Sequence, residues 1–302
     1  MVSPLSFGQA GGHVLANNLL INKPGEIPEQ TPKRRNSVFS DIDMSHWKDY
    51  LGDIITDTLW LLGARDKTDT HSGDYHGNFV PQIAYQVITR YTKRNDVVLD
   101  LFSGMGTTLI ECCHLGRNGI GVDLNSDVIK ASSARIAMSD NPYGISTFLI
   151  NGDSASPEIG GHILAKCREF GRESVQHVIL HPPYWDIIKF NDDERDLACA
   201  PTCEAFLEKF ESVARNAYEL LEKGRFMTLV IGDKYAKGEL VPLSFECMNV
   251  CRNVGFKLKA INVKDIQGNE KGKGKQGNLW KYRALKQGFY VFKHEYIIIF
   301  RK

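Results

Sequence analysis

Two stretches of the sequence carry residue types that could hold a reactive ligand. In VVLDLFSGMGTTLIE, Asp100 is followed by Gly104 and Gly106. Glycines let the backbone approach a ligand closely, and the N-terminus of a following helix presents unpaired N–H groups to an anionic group. In HPPYWDIIKFND, Pro182 and Pro183 follow a strand-like run. Each proline fixes φ and lacks a backbone donor, so this segment cannot continue a sheet.

Acidic residues stand at the ends of the next two predicted strands. NGIGVDL ends at Asp123 and Leu124, and STFLINGD ends at Asp153. A carboxylate at the end of the second strand is placed to bind ribose hydroxyls, and Asp153 would lie near an adenine. The nicotinamide fingerprint G-x-G-x-x-G fails, because Leu109 stands where the third glycine should be. A glycine turn with acids on successive strands is nevertheless a strong signal for a cofactor that contains ribose and adenine.

The elements that must position these residues alternate between strands and helices. DVVLDLF, NGIGVDL, STFLINGD, SVQHVIL and RFMTLVIGD are strand-like and most are followed by helical patterns, which predicts a parallel doubly wound sheet. FKLKAINVKDI and FKHEYIIIFRK should pair as a hairpin across a Gly/Lys-rich connection. We therefore expect an α/β, Rossmann-like fold with a mostly parallel seven-stranded sheet and a C-terminal antiparallel hairpin.

Two helices should precede the sheet. SHWKDYLGDIITDTLWLLG has helical spacing with Ser45 as a cap, and PQIAYQVITRYT would open at Pro81. Residues 1–44 are rich in Gly, Pro, Asn and Ser, so we expect an irregular N-terminal extension there. Residues 45–302 would then form the domain, with substrate loops near 189–202 and 264–288.

Composition and charge exclude several classes of protein. The 302 residues are 42% hydrophobic and 24% charged, with a formal net charge of +1, which is typical of a soluble globular protein. From residue 264 to 302 there are ten Lys/Arg and three Asp/Glu, so this part could meet an anion. No apolar run could span a membrane and no leader is evident, which predicts a soluble, cytoplasmic protein without a membrane partner.

Metal binding is not expected from the spacing of possible ligands. Seven cysteines include no CxxC pair, so reduced thiols are the simplest interpretation. His71 and His76 flank a glycine turn, but no carboxylate or thiolate lies at a useful spacing from them.

These motifs resemble those of the S-adenosylmethionine-dependent methyltransferases with the class I fold. DLFSGMGTT is similar to their first motif, GVDL to the ribose-binding acid and NGD to the adenine-edge acid, while HSGDYHGNFVPQI resembles the segment that closes the methionine end of the site. The motif order resembles the gamma-type arrangement. The resemblance implies S-adenosylmethionine as cofactor, bound by Phe79, Asp100, Phe102, Gly104, Gly106, Thr107, Thr108, Asp123, Leu124 and Asp153.

HPPYW narrows the resemblance to amino-methyltransferases that act on cytosine N4 or adenine N6 in DNA. Their motif is Asp, Asn or Ser, then Pro-Pro and an aromatic residue, which implies a catalytic tip of His181, Pro182, Pro183 and Tyr184. Histidine departs from that pattern. A neutral imidazole still offers one acceptor, whereas a protonated one would only donate and would repel a sulfonium. Activity should therefore fall as the pH drops through the pKa of His181, unless this residue only orients the turn.

Cationic and aromatic residues near the C-terminus suggest nucleic acid as the partner. Flexible cations suit phosphates and aromatic rings suit bases, although a solvated loop would have the same composition. The predicted substrate-binding residues are Trp185, Lys189, Lys271, Lys273, Lys275, Trp280, Tyr282 and Arg283.

Alternatives to DNA methylation remain open from the sequence. An RNA base methyltransferase would share the same core, and some relatives methylate glutamine amides. His181 also leaves room for a degenerate, cofactor-binding partner subunit, and the chain could form a homodimer or need a specificity partner. PPYW favours cytosine N4 over adenine N6 by a small margin.

Overall fold

Buried apolar runs form the centre of the sheet. Every residue of Val97–Asp100 and of Val175–Leu180 is buried, as expected for parallel strands that are covered on both faces. The computed structural model describes residues 37–75, 77–188, 191–266 and 277–302. The strands are β1 (Leu59–Trp60), β2 (Val97–Asp100), β3 (Asn118–Asp123), β4 (Thr147–Asn151), β5 (Val175–Leu180), β6 (Leu221–Ile231), β7 (Lys234–Ala236), β8 (Glu239–Val241), β9 (Lys257–Asp265) and β10 (His294–Arg301).

Helices fill the connections between these strands and cover the sheet. Pro81 opens the first of them, as the sequence predicts. Thr202 caps the longest by accepting a hydrogen bond from the Ala205 N–H at 3.2 Å. The helices are α1 (Pro81–Tyr91), α2 (Thr107–Leu115), α3 (Ser126–Ala137), α4 (Ile159–Glu169), α5 (Cys203–Leu220), α6 (Leu243–Val254) and α7 (Gly277–Gln287).

The sheet order confirms the predicted fold class. The strands run β1-β9-β10-β6-β5-β2-β3-β4, and β10 is antiparallel to both β6 and β9. The central strands pair in parallel. Seven of these strands form the Rossmann-like class I methyltransferase sheet, with its C-terminal hairpin. The eighth, β1, adds a short edge that the sequence analysis does not predict, and β7 and β8 form a small separate hairpin.

The predicted helix in SHWKDYLGDIITDTLWLLG is wrong. Only Trp47–Tyr50 forms a short 3₁₀ turn, and Leu59–Trp60 becomes β1. The cause is tertiary: the Gln86 side chain accepts a hydrogen bond from the Ile55 N–H at 2.8 Å and donates to the Asp53 carbonyl at 2.7 Å. These bonds hold the chain as an irregular segment against α1 in place of a helix.

The two predicted substrate loops contain regular structure. Residues 277–287 of the 264–288 connection form α7. Within 189–202, a 3₁₀ turn at Leu197–Cys199 buries Leu197 and Ala198. The division at residue 44 stays a prediction, although the Phe39 ring meets the Phe226 ring edge-on with 4.9 Å between centroids. None of the described helices is both long and apolar enough to cross a membrane.

A glycine in β3 lets the turn after β2 lie against the sheet. A Cβ on Gly121 would overlap Ser103 Oγ and lie 2.9 Å from Leu149 Cδ2. Ser103 belongs to the turn itself, and its N–H donates to the Val122 carbonyl at 2.9 Å. A side chain at position 121 therefore forces the turn away from β3.

We expect Gly121→Ala to lower the free energy of unfolding by about 1–3 kcal/mol, since the added methyl overpacks a closed contact. Urea unfolding followed by circular dichroism measures this change. Gly161→Ala is the matched control, because no atom lies within 4 Å of its Cβ and alanine favours a helix by up to about 1 kcal/mol. Equal stabilities for both variants would contradict the packing argument.

Candidate active site

The turn after β2 is shaped by a buried carboxylate. Asp100 Oδ1 accepts the Phe102 N–H at 2.9 Å, and Oδ2 accepts the Thr108 hydroxyl at 2.5 Å. Burial raises the pKa of Asp100 to about 6. Gly104 and Gly106 follow with φ of 49° and 81°, a region that favours glycine. Asp100 therefore bonds within the turn, which brings Phe102 and Thr108 together with the two glycines.

Asp123 closes the same turn from the end of β3. Its Oδ2 accepts the Gly104 N–H at 2.8 Å and its Oδ1 accepts the Asn125 N–H at 2.9 Å. Burial raises the pKa of Asp123. The Asn151 amide donates to the Asp123 and Leu124 carbonyls at 3.0 and 2.9 Å, so the ends of β3 and β4 are fixed to each other.

Asp153 lies at a pocket beyond the end of β4. The pocket has a volume of about 520 Å³ and is also lined by Ile150, His162 and Arg195. Asp153 Oδ1 accepts the Ala155 N–H at 2.8 Å. Arg195 comes from the predicted 189–202 loop, so this loop reaches the strand end at which an adenine was expected.

The segment before α1 lies over the glycine turn. A Cβ on Gly104 would lie 3.6 Å from Asn78 Oδ1 and 3.9 Å from Tyr75 Cε1. Phe79 is buried, and its ring meets that of His181 edge-on at 5.3 Å between centroids. The segment thus joins the turn after β2 to the tip after β5.

Three polar atoms around this turn are buried without a hydrogen-bond partner among the described residues. They are Arg65 Nη1, Asn78 Nδ2 and Ser103 Oγ. Leaving such groups unpaired costs about 1–3 kcal/mol each. A ligand with charged and hydrogen-bonding groups would supply the partners that this end of the site lacks.

The Pro-Pro tip turns the chain sharply out of β5. Pro182 is buried, and Trp185 has a left-handed backbone with φ of 51°. The Trp185 indole N–H donates to the Ala200 carbonyl at 2.9 Å, and the Lys234 ammonium lies 4.3 Å from the ring centroid. Trp185 thus anchors the 191–202 segment to the tip. This structural contact is additional to the predicted role of Trp185 in substrate binding.

Tyr184 and His181 are tied to a buried ion pair. Tyr184 donates to Glu295 Oε2 at 2.8 Å, and its hydroxyl lies 3.4 Å from His181 Nε2. Glu295 Oε1 accepts from Lys264 Nζ at 2.9 Å, across the β9–β10 pair. Gly232 makes room for this arrangement, since a Cβ there would lie 2.9 Å from Tyr184 Cε2.

His181 is neutral at physiological pH. Burial lowers its pKa to about 4, and the charge of Glu295 only partly offsets that effect. The neutral ring keeps one acceptor nitrogen. A fall in activity caused by protonation of His181 should consequently occur near pH 4 and not near the ordinary histidine value.

The predicted nucleic-acid contacts fall into two groups. Trp280, Tyr282 and Arg283 lie on α7, where Trp280 is 37% and Tyr282 is 59% exposed. The Arg283 guanidinium lies 5.4 Å from the Trp280 ring centroid. The second group, Lys189, Lys271, Lys273 and Lys275, lies outside the described residues.

The sequence analysis missed several polar residues of the site. Arg65, Lys264 and Glu295 are charged residues inside apolar or loop segments, and none of them belongs to the glycine-turn or Pro-Pro-Tyr motif. The alternation of charge with apolar residues in FKHEYIIIF was a usable signal. An inward-facing Glu in a buried strand requires a partner.

The strand order, the glycine turn and the Pro-Pro-Tyr tip on the adjacent strand define a class I amino-methyltransferase of the N4/N6 type. A family model described as DNA methylase matches residues 18–134 and 175–302. The chain belongs to this DNA methylase family.

Individual relatives match shorter segments of the chain than the family model does. The Type II methyltransferase M.MjaII of Methanocaldococcus jannaschii is 31% identical over 31% of this chain and 21% of its own length. M.Cfr9I of Citrobacter freundii is 25% identical over 44% of this chain and 47% of its own length. The chain thus spans from a fifth to about half of these relatives.

Solved structures show only remote likeness. A TehB-like SAM-dependent methyltransferase from Corynebacterium glutamicum has 12% sequence identity and a TM-score of 0.43, covering 72% of this chain and 86% of the other. TrmN from Thermus thermophilus has 15% identity and a TM-score of 0.45, covering 74% and 49%. The fold assignment rests on the strand order described above.

S-adenosylmethionine is the cofactor of this site, as membership of the methylase family implies. The residues present fit it. The glycine turn leaves room for close approach, and the unpaired atoms of Arg65, Asn78 and Ser103 suit a carboxylate and an ammonium group.

We expect the stability of the protein to fall as the pH drops from about 6.5 toward 4, partly because of His181. Its pKa is about 4 when folded and about 6.5 when unfolded, so the unfolded chain binds more protons in this window. Between pH 7 and pH 5, the free energy of unfolding of His181→Asn should therefore fall by about 1–2 kcal/mol less than that of the wild type.

Urea unfolding at pH 7, 6 and 5 measures this difference. His46→Asn is the matched control, because the His46 side chain is 67% exposed and should leave the pH dependence as in the wild type. A pH dependence unchanged in His181→Asn would show that the ring is not held neutral.

Proposed function

We propose that the protein transfers a methyl group from S-adenosylmethionine to an exocyclic amino nitrogen of a base in DNA, at cytosine N4 in preference to adenine N6. One observation carries this proposal. The Pro-Pro-Tyr tip and the glycine turn leave the same edge of the sheet on neighbouring parallel strands, β5 and β2. A methyl donor over the turn and a base at the tip would therefore meet.

The reacting amino group needs acceptors more than it needs a base. Its lone pair is conjugated with the ring, and hydrogen bonds from both amino hydrogens to the protein free it for attack. The Pro182 carbonyl would be one acceptor and a His181 ring nitrogen the other. Bound S-adenosylmethionine supplies an electrophilic methyl group. A neutral His181 does not repel the positive charge of the sulfonium. After methyl transfer the amino nitrogen loses one proton, and because the pKa of His181 is low, this proton would pass to water.

Glu295 and Tyr184 would select the tautomer of His181. The Tyr184 hydroxyl donates its hydrogen bond to Glu295. The hydroxyl oxygen can therefore accept a hydrogen bond from His181 Nε2. With Nε2 protonated, Nδ1 remains the acceptor for the substrate amino group. In this proposal Glu295 and Lys264 are positioning residues, while His181, Pro182 and Tyr184 touch the base.

We assign the cofactor roles from the shape of the turn. Gly104, Gly106 and Thr107 would line the approach of the cofactor, Phe79 and Phe102 would flank it, and Asp123 and Asp153 would lie at its ribose and adenine ends. Asp100 and Thr108 bond to each other and act through the shape of the turn. Pro183 keeps the tip rigid.

DNA would contact the protein next to the C-terminal hairpin. α7 lies between β9 and β10 in the chain, and its Trp280, Tyr282 and Arg283 are accessible for stacking and phosphate contacts. The lysines at 189, 271, 273 and 275 would add contacts to the backbone of the nucleic acid. An extruded base costs a few kcal/mol, which stacking on Tyr184 would offset by roughly 1–3 kcal/mol.

Methyl transfer to defined DNA and RNA, followed by digestion to nucleosides and mass spectrometry, tests the proposed function. We expect N4-methylcytosine from DNA in the wild type. Tyr184→Phe keeps the ring but loses the hydroxyl, so the rate should fall about tenfold. Tyr184→Ala also loses stacking, so its rate should fall by a further 5- to 100-fold.

Three results of this assay would revise the proposal. Methylation of RNA alone would make the protein an RNA enzyme with the same core. N6-methyladenine would change the target base. Cofactor binding in equilibrium dialysis without transfer to either nucleic acid would indicate a partner subunit with a degenerate site.

We expect Tyr282→Ala to weaken DNA binding about 5- to 100-fold, because one stacking surface is lost. Arg283→Gln should lower the slope of log affinity against log salt by about one. Fluorescence anisotropy at several salt concentrations measures both. Lys130→Gln on α3 is the control, since Lys130 is 76% exposed, and an equal effect there would argue against α7 as the contact surface.

A further inference from the structure

We propose that the chain holds a divalent transition-metal ion, with zinc as the first candidate, between His71, Glu111 and His114. This site lies apart from the Pro-Pro-Tyr tip. It connects the segment before α1 to the body of α2, and it is independent of the methyl-transfer proposal.

The ligand atoms of the three side chains lie close together. His71 Nε2 lies 2.6 Å from Glu111 Oε1, which lies 3.5 Å from His114 Nδ1. One ligand atom from each residue falls within 4.8 Å of the other two. Ligands of a tetrahedral zinc ion, bonded at about 2.0–2.1 Å, are about 3.3 Å apart. Small side-chain adjustments would therefore bring all three atoms to bonding distance.

The second nitrogen of His114 has the partner that a metal-bound histidine usually has. His114 Nε2 lies 2.8 Å from Asp69 Oδ2, an arrangement in which Nε2 donates and Nδ1 is left to bind the ion. Asp69 Oδ2 is itself held by the Ser139 hydroxyl at 2.5 Å and the Asp140 N–H at 3.1 Å. A carboxylate behind a histidine fixes the tautomer and raises the basicity of the ligand.

The backbone at Asp69 is strained to make this contact. Its φ is 53°, a left-handed conformation in a residue other than glycine. Such conformations cost about 1–3 kcal/mol and persist where the surroundings impose them. Here the strain directs the carboxylate toward His114, which is what a fixed geometry around an ion would need.

An acidic pocket leads to the same carboxylate. It has a volume of about 260 Å³ and is lined by Asp53, Asp66, Tyr85 and Glu111, among others. Negative charge in a concave site raises the local concentration of cations. His71 and Glu111 are buried, while His114 is partly exposed. The ion would have three protein ligands and at least one position open to water.

Spacing along the chain does not reveal this cluster. Glu111 and His114 lie 40 and 43 residues after His71, and the fold brings them together through α2 packing against the segment before α1. His76 lies outside the described residues and has no part in the proposal.

The ion would fasten the segment that covers the cofactor site. His71 lies seven and eight residues before Asn78 and Phe79, which lie over the glycine turn and against His181. Fixing His71 to α2 would restrain the segment that carries Asn78 and Phe79.

Metal analysis of tag-free protein tests the proposal. We expect about one zinc per chain by inductively coupled plasma mass spectrometry after dialysis against metal-free buffer, and re-binding of zinc after chelator treatment. Cobalt substitution should give visible absorption bands typical of nitrogen and oxygen ligands. His71→Gln and His114→Gln should lose the ion, and Asp69→Asn should weaken zinc binding about 10- to 100-fold.

His46→Gln is the matched control and should keep the ion, because its ring bonds only to Ser45 and Asp43 among the contacts described. Circular dichroism of each variant separates metal loss from unfolding. A second readout is the melting temperature, which chelator should lower in the wild type but not in folded His114→Gln.

Two outcomes would overturn the proposal. Zinc content equal in the wild type and in both histidine variants would place the ion elsewhere, for instance on a cysteine. Failure of the wild type to bind zinc or cobalt would mean that Asp69, His71, Glu111 and His114 form only a proton-linked network. Neither outcome bears on methyl transfer, which the nucleoside assay tests separately.

Discussion

A single buried carboxylate, Glu295, joins the parts of the structure that must act together. Its two oxygens accept hydrogen bonds from Lys264 on the neighbouring strand and from Tyr184 on the tip after β5. Removing one partner from a buried pair costs about 3–5 kcal/mol, because the other charge is left uncompensated. The C-terminal hairpin cannot shift in register without breaking this arrangement, so the hairpin holds the tip in place.

At the carboxyl ends of β2 and β3, buried carboxylates likewise hold neighbouring groups in place, but their partners include backbone N–H groups. Asp100 and Asp123 are carboxylates at strand ends, and each accepts N–H groups of the turn that follows it or lies beside it. Their hydrogen bonds stabilise a loop conformation that glycine alone would leave mobile. The turn is thereby formed before any ligand arrives, which reduces the entropy lost on binding.

The features that can be recognised in the sequence are local ones. Gly104, Asp123 and the Pro-Pro tip are recognisable because their chemistry lies within a few residues of a strand end. Lys264 and Glu295 are not, since their partners lie tens of residues away, and Arg65 is not, since it donates to the backbone carbonyl of Asn78 in a separate segment. The wrong helix near Trp47 has the same origin: hydrogen bonds from Gln86 on α1 override its local spacing. Long-range pairing is the information that periodicity lacks.

The short strand β1 has a consequence for how the protein behaves in concentrated solution. Leu59 and Trp60 pair in parallel with Val263 and Lys264, and the Val263 N–H donates to the Thr58 carbonyl at 2.8 Å. They cover the outer edge of β9, whose unpaired backbone would otherwise template a second copy of the chain. A cut between Thr58 and α1 would uncover that edge, and intermolecular sheet growth would then compete with the native fold.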